Sequence, residues 1–190
     1  MLSVLKIIGL LVLAAVVILL VYVSTRPDQF RVARTVAIKA SPDAIFPLIG
    51  DLRRFNEWNP FAKADPAIKL AYGATSAGPG GSYNWDSTGQ AGKGRMEITE
   101  SDAPNRVSMS LQFDKPMKAN NHVVFTLQPQ GSATEVTWEM TGTYGFMHKM
   151  MGVVFNFDKM VGAEFEKGLA ALKAQAETRN EVENVTGNNR

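Results

Sequence analysis

Seventeen consecutive positions, Ile7 to Val23, carry no polar side chain other than the Tyr22 hydroxyl. Such a run can fold in very few ways. As a helix it spans roughly 25 Å, or roughly 33 Å with Leu2 to Leu5, against a bilayer hydrocarbon core of about 30 Å. A helix satisfies its own backbone groups, which lipid cannot do. Lys6 is placed to snorkel to one interface and Tyr22 to sit near the other, and Arg26-Pro27 ends the helix. The competing reading is a cleaved secretory signal. Its apolar region would be about 7–15 residues long and close on a small-x-small site. Here a cut after Ser24 leaves Tyr22 three residues upstream, and a cut after Val23 leaves Val21 there. The expectation is a retained single-pass anchor over residues 1–25 and a short tether over 26–29.

The anchor removes its own residues from any soluble core. About 165 residues remain, enough for one domain with a real interior. Lys6 is the only charged residue of the anchor, which leaves 19 basic against 18 acidic residues in the remainder. That balance carries no basic face, so no nucleic-acid partner is expected. The chain has no cysteine, which removes disulfides, thiolate chemistry and cysteine-based metal sites. With only His122 and His148, a dedicated zinc or iron site is not expected either, and no cofactor is called for. Arg26, Arg31, Arg34 and Lys39 follow the anchor, offset by Asp28, which favours a cytoplasmic domain; the short N-terminal stub leaves the side undecided.

Past the tether, Phe30 to Ile38 alternates, with Arg34 breaking the apolar face, and reads as a strand. Ser41-Pro42 is a helix start, with Ser41 as N-cap and Pro42 in the first turn, and the helix runs from Asp43 to Leu52. Arg53 to Pro60 is expected to turn back on itself, since Pro60 disfavours helix at Asn59. Seven of the 16 glycines lie between Gly73 and Gly94. Gly78-Pro79-Gly80-Gly81 is a loop and not a phosphate cradle, because no Lys-Ser/Thr pair follows and Ser82 to Trp85 reads as strand. Four further strands show alternation: Gly94 to Glu100, Val107 to Phe113, Asn121 to Gln128 and Glu135 to Thr141. Their short polar connections suit an antiparallel meander. Phe157, Val161, Phe165, Leu169 and Leu172 then recur at helical spacing. Thr178 to Arg190 loses periodicity and reads as a flexible tail.

A sheet with one apolar face needs a helix with one apolar stripe to cover it. One helix does not fill a curved sheet of six or seven strands, which leaves room for an elongated cavity. Trp85, Met96, Met109, Phe113, Phe125, Leu127, Trp138 and Met140 face that space, with Phe165 and Leu169 from the helix. Four of the nine methionines cluster between Met147 and Met160, and methionine adapts its shape to irregular apolar surfaces. Gly162 and Gly168, inside the helix, cost roughly 1 kcal/mol each relative to Ala and call for a close approach of sheet or ligand.

The order of these segments resembles a known family. The strand at 30–39, Ala40-Ser41-Pro42-Asp43-Ala44-Ile45-Phe46, Asp51 to Pro60, Gly78 to Trp85, Thr134 to Trp138 and the closing Phe165-Glu166-Lys167-Gly168-Leu169 are similar to the polyketide cyclase/dehydrase and START-related superfamily (SRPBCC, the helix-grip fold). The resemblance covers about residues 30–177. It implies an α+β domain in which a curved antiparallel sheet of six to seven strands wraps a long C-terminal helix, with an apolar cavity between them. It implies no single activity.

The function expected is therefore a membrane-anchored binding domain for an apolar small molecule or lipid. Its expected ligand-binding residues are Trp58, Trp85, Met96, Met109, Phe113, Phe125, Trp138, Met140, Met151, Phe165 and Leu169. The alternatives are a cyclase or dehydratase acting on an apolar substrate and a membrane-bound interaction module. Enzymatic chemistry needs an acid or base facing the cavity. Alternation turns Asp86, Glu97, Glu135 and Glu139 outward, and Arg95 shares the face of Glu97. The one candidate catalytic residue is His148, in Phe146-Met147-His148-Lys149-Met150-Met151, a segment placed as a lid.

Overall fold

Alternating segments become strands because each buries every second side chain against a helix. The computed structural model describes residues 2–89, 91–145, 149–150 and 156–187. Its strands are β1 (Gln29–Ile38), β2 (Lys69–Tyr72), β3 (Ser82–Asp86), β4 (Lys93–Asp102), β5 (Arg106–Lys115), β6 (Ala119–Gln130) and β7 (Ala133–Thr143). They form one seven-stranded antiparallel sheet in the order β1-β7-β6-β5-β4-β3-β2. The β6–β7 register runs unbroken, with Phe125 opposite Trp138 and Val123 opposite Met140. Between β4 and β5 the register slips between Ile98 and Glu100, a bulge of the kind that bends a sheet. The curved sheet and the long closing helix are those of the helix-grip fold.

The helices are α1 (Leu2–Ser24), α2 (Pro42–Gly50), α3 (Leu52–Trp58), α4 (Pro60–Lys63) and α5 (Phe157–Gly187). From Lys6 to Ser24, α1 has a mean hydropathy of 3.0 and is long and apolar enough to cross a bilayer. The Ser41 hydroxyl caps α2 by accepting from the Ala44 N–H at 3.3 Å. Residues 52–58, expected to turn back, are instead helical. Leu52, Phe55 and Trp58 recur every third position and are all buried, and the Asp51 carboxylate caps their N-terminus by accepting from the Arg53 N–H at 3.0 Å. Asn59 ends α3 and caps α4, its side-chain oxygen accepting from the Phe61 N–H. β2 was not legible as a strand: four residues, Lys-Leu-Ala-Tyr, that pair with β3 so that Leu70 lies opposite Trp85. α5 continues past the expected boundary at Glu177 to Gly187, since residues 169–186 contain neither Gly nor Pro.

Antiparallel order gives the sheet two ends. At the end where β1 begins, next to α1, lie the starts of β1, β2, β4 and β6 and the finishes of β3, β5 and β7. The opposite half is filled. There α2 and α3 insert Ile45, Leu48, Ile49, Leu52, Phe55 and Trp58, all buried, against Ile98, Val107, Met109, Phe125, Leu127 and Val136. The buried stripe of α5 is Phe165, Leu169, Leu172 and Ala176. Gly162 and Gly168, inside α5, are explained by packing. The Arg34 guanidinium lies where a Gly162 side chain would stand, held by Asp158 at 3.1 Å and Glu166 at 2.8 Å. Arg34 therefore breaks the β1 pattern because it reaches α5. A Cβ at Gly168 would stand 2.7 Å from Trp138 Cζ3 and 2.9 Å from Pro60 Cδ.

Candidate functional site

In the half of the sheet where β1 begins, which α2 and α3 leave largely open and border only with Phe55, sheet and α5 stand apart around a cavity of about 280 Å³. That is near the lower end for small-molecule sites. Phe55, Asn59, Tyr83 and Trp138 are the buried part of its wall, and Phe30, Met117, Tyr144 and Phe157 are half-buried and form its outer part. Trp138 forms the partition: its ring stacks on Phe165 at 4.0 Å and an interplanar angle of 7°, and packs edge-on against Trp58 at 5.7 Å.

Six of the residues singled out from sequence line this cavity: Trp85, Met96, Phe113, Trp138, Met140 and Phe165. Trp58, Met109, Phe125 and Leu169 do not. Met109 and Phe125 point to the same side of the sheet as the lining residues, yet all four belong to the filled half and are buried against protein. Trp58 donates its indole N–H to the Leu48 carbonyl at 2.8 Å and packs on Phe125 at 5.9 Å. Met151 and His148 fall outside the described residues. Sequence reasoning passed over Phe61, Leu70, Asn121, Tyr144 and Phe157, which also line the space. Asn121 had a visible signal: it shares the inward parity of Val123, Phe125 and Leu127. Leu70 had none, because its strand was invisible.

The polar groups are few. Among the buried lining, Asn59 Nδ2 donates to Asn56 Oδ1 at 3.1 Å, and Asn56 Nδ2 donates to the Tyr72 hydroxyl at 3.2 Å. Burial, with Tyr72 beside it, pushes the Tyr83 phenol well above its ordinary value, against the opposing pull of Asn56 and Asn59. Tyr83 is therefore neutral at physiological pH. Two buried polar atoms have no hydrogen-bond partner among the described residues, Asn121 Oδ1 and Trp138 Nε1, and both belong to cavity-lining residues. The described lining includes no Asp, Glu, His, Lys or Arg. The strand carboxylates face outward as alternation requires: Glu97 pairs with Arg95 at 2.6 Å, Glu139 with Arg31 at 2.6 Å and Asp86 with Lys93 at 3.1 Å. His122 is exposed on the outer face, in a shallow polar groove with Arg31 and Thr141.

The same architecture recurs among solved structures. A protein from Chromobacterium violaceum is 16% identical with a TM-score of 0.56, over 80% of this chain and 99% of that one. The Aha1 dimer from Colwellia psychrerythraea is 16% identical with a TM-score of 0.55, over 78% and 96%. A Mycobacterium smegmatis protein reaches 21% identity with a TM-score of 0.53, over 78% and 92%. At these identities the likeness is one of fold. Comparison with curated proteins gives no match. A sequence profile described as polyketide cyclase / dehydrase and lipid transport matches residues 29–177, the whole of the sheet and the packed part of α5, and the chain belongs to that family.

Proposed function

We propose that this protein is a membrane-anchored binding domain that holds an apolar small molecule or lipid between its sheet and α5, with α1 retained as the anchor. The observation that carries the reading is the cavity: about 280 Å³, walled by aromatic and methionine side chains, with no charged group among the described lining. Such an uncharged, largely aromatic wall suits an acyl or isoprenoid segment or a compact ring system. Trp85, Met96, Phe113, Trp138, Met140 and Phe165 are the contact residues in this reading.

The cyclase or dehydratase alternative rests on His148 and gains no support from the described wall, whose one strongly perturbed group, Tyr83, is held neutral. The interaction-module alternative needs a broad exposed apolar patch; outside α1 the exposed large apolar side chains among the described residues are Phe61 and Met160. The test is native mass spectrometry of the full chain released from detergent. The expected result is a retained lipophile that a Met140→Trp substitution displaces. Protein that is empty, and that takes up no added fatty acid or isoprenoid alcohol, overturns the reading.

A further inference from the structure

We infer that the open end of the cavity is docked on the bilayer that holds α1, so that its ligand passes between leaflet and cavity without crossing water. The inference rests on the binding reading above. It is carried by chain topology. The strand residues that line the outer part of the cavity lie at one end of the sheet: Phe30 is the second residue of β1, Phe113 is near the finish of β5, Ala119 begins β6 and Thr143 finishes β7. That is the end at which the anchor joins. Only Thr25 to Asp28 separate α1 from β1, a reach of at most about 14 Å.

The junction is also pinned. The Tyr144 N–H donates to the Asp28 carbonyl at 2.6 Å. The Lys149 ammonium donates to the Arg26 carbonyl at 2.8 Å and forms an ion pair with Asp28. Val23, in the last turn of α1, is fully buried, whereas Lys6 to Tyr22 are exposed along the same helix. The membrane interface and the cavity end are therefore held together by more than a loose linker.

The rim has the chemistry of a headgroup boundary. In the β5–β6 turn, Met117 lines the cavity between exposed Lys115 and Lys118. In the first turn of α5, exposed Met160 follows Lys159 and precedes cavity-lining Val161. Apolar side chains next to ammonium groups reach into the acyl region while the charges meet phosphates. An apolar ligand leaving such a mouth exposes no surface to water.

The native chain has no cysteine, so single labels are unambiguous. Lys118→Cys, Met160→Cys and Ser132→Cys, the last in the β6–β7 turn at the opposite end, each carry a nitrobenzoxadiazole label. Each full chain is reconstituted in phosphatidylcholine/phosphatidylglycerol vesicles containing nitroxide-labelled phosphatidylcholine. Quenching several-fold stronger at 118 and 160 than at 132 is expected. Equal quenching at all three, or stronger quenching at 132, overturns the inference. Ligand retention is read on the same proteins by mass spectrometry. Retained lipophile with equal quenching removes the docking and keeps the binding reading; selective quenching with an empty cavity does the reverse.

Discussion

Gly168 shows how a single residue sets the distance between α5 and the sheet. Replacing it with Ala gains about 1 kcal/mol of helix propensity. The new Cβ would stand 2.7 Å from Trp138 and 2.9 Å from Pro60, both rigid groups, and overpacking of that kind costs about 1–3 kcal/mol. The steric effect wins, so Gly168→Ala lowers stability in urea unfolding, whereas the same change on an open helix face raises it. Tyr83 gives a pH prediction. Its phenol is raised in the folded state, first by burial, while in the unfolded chain it titrates near 10. Above that pH the unfolded state loses the proton and the folded state does not. The stabilisation is thus complete below about pH 10 and is lost as pH climbs further. Tyr83→Phe flattens this alkaline limb, which unfolding midpoints measured through the alkaline range will show. Arg34 teaches a related lesson. In the sequence it is a defect in an alternating strand; in the structure it reaches across to Asp158 and Glu166 on α5.

Among the elements, the long alternating strands and the amphipathic stripe of α5 were legible because each carries its own period. The short ones were not. β2 has four residues and becomes a strand only through β3. α3 has seven, below the length at which an isolated helix is stable, and it forms because Leu52, Phe55 and Trp58 are buried together beneath the cap at Asp51. Removing that cap is therefore felt. Asp51→Ala costs about 1 kcal/mol, which lowers Tm by about 2–4 °C in a chain of this size. A smaller shift measured by calorimetry would mean that burial alone holds α3. This element decides the shape of the site, since Phe55 and Trp58 fill one half of the space beneath the sheet and leave the other half open.

At the scale of the molecule, the filled and open halves make separate predictions. Met140→Trp projects an indole into the open half and weakens lipophile binding by about tenfold, equivalent to ~1.4 kcal/mol. Met109→Leu, in the filled half, leaves binding unchanged, since Met109 is fully buried away from the cavity. Titration with cis-parinaric acid separates the two. For the anchor, alkaline carbonate extraction followed by intact-mass measurement should find the full-length chain in the membrane pellet. A product that begins near Thr25 would identify α1 as a cleaved signal instead.

By itself the sequence determined the apolar α1, the alternating strands, the closing helix and the resemblance that leads to the family. All of these are periodic or contiguous patterns, because burial acts on one face of one element at a time. Which inward side chains meet one another and which meet empty space was decided only by the tertiary structure. Met109 and Met140 have the same parity and the same chemistry. One lies under α2 and α3, the other lines the cavity, and the difference arises from where two short helices end. The placement of the cavity at the end where β1 begins follows in the same way: it depends on the antiparallel order of seven strands and on which half of the sheet α2 and α3 fill, neither of which leaves a periodic mark in the chain.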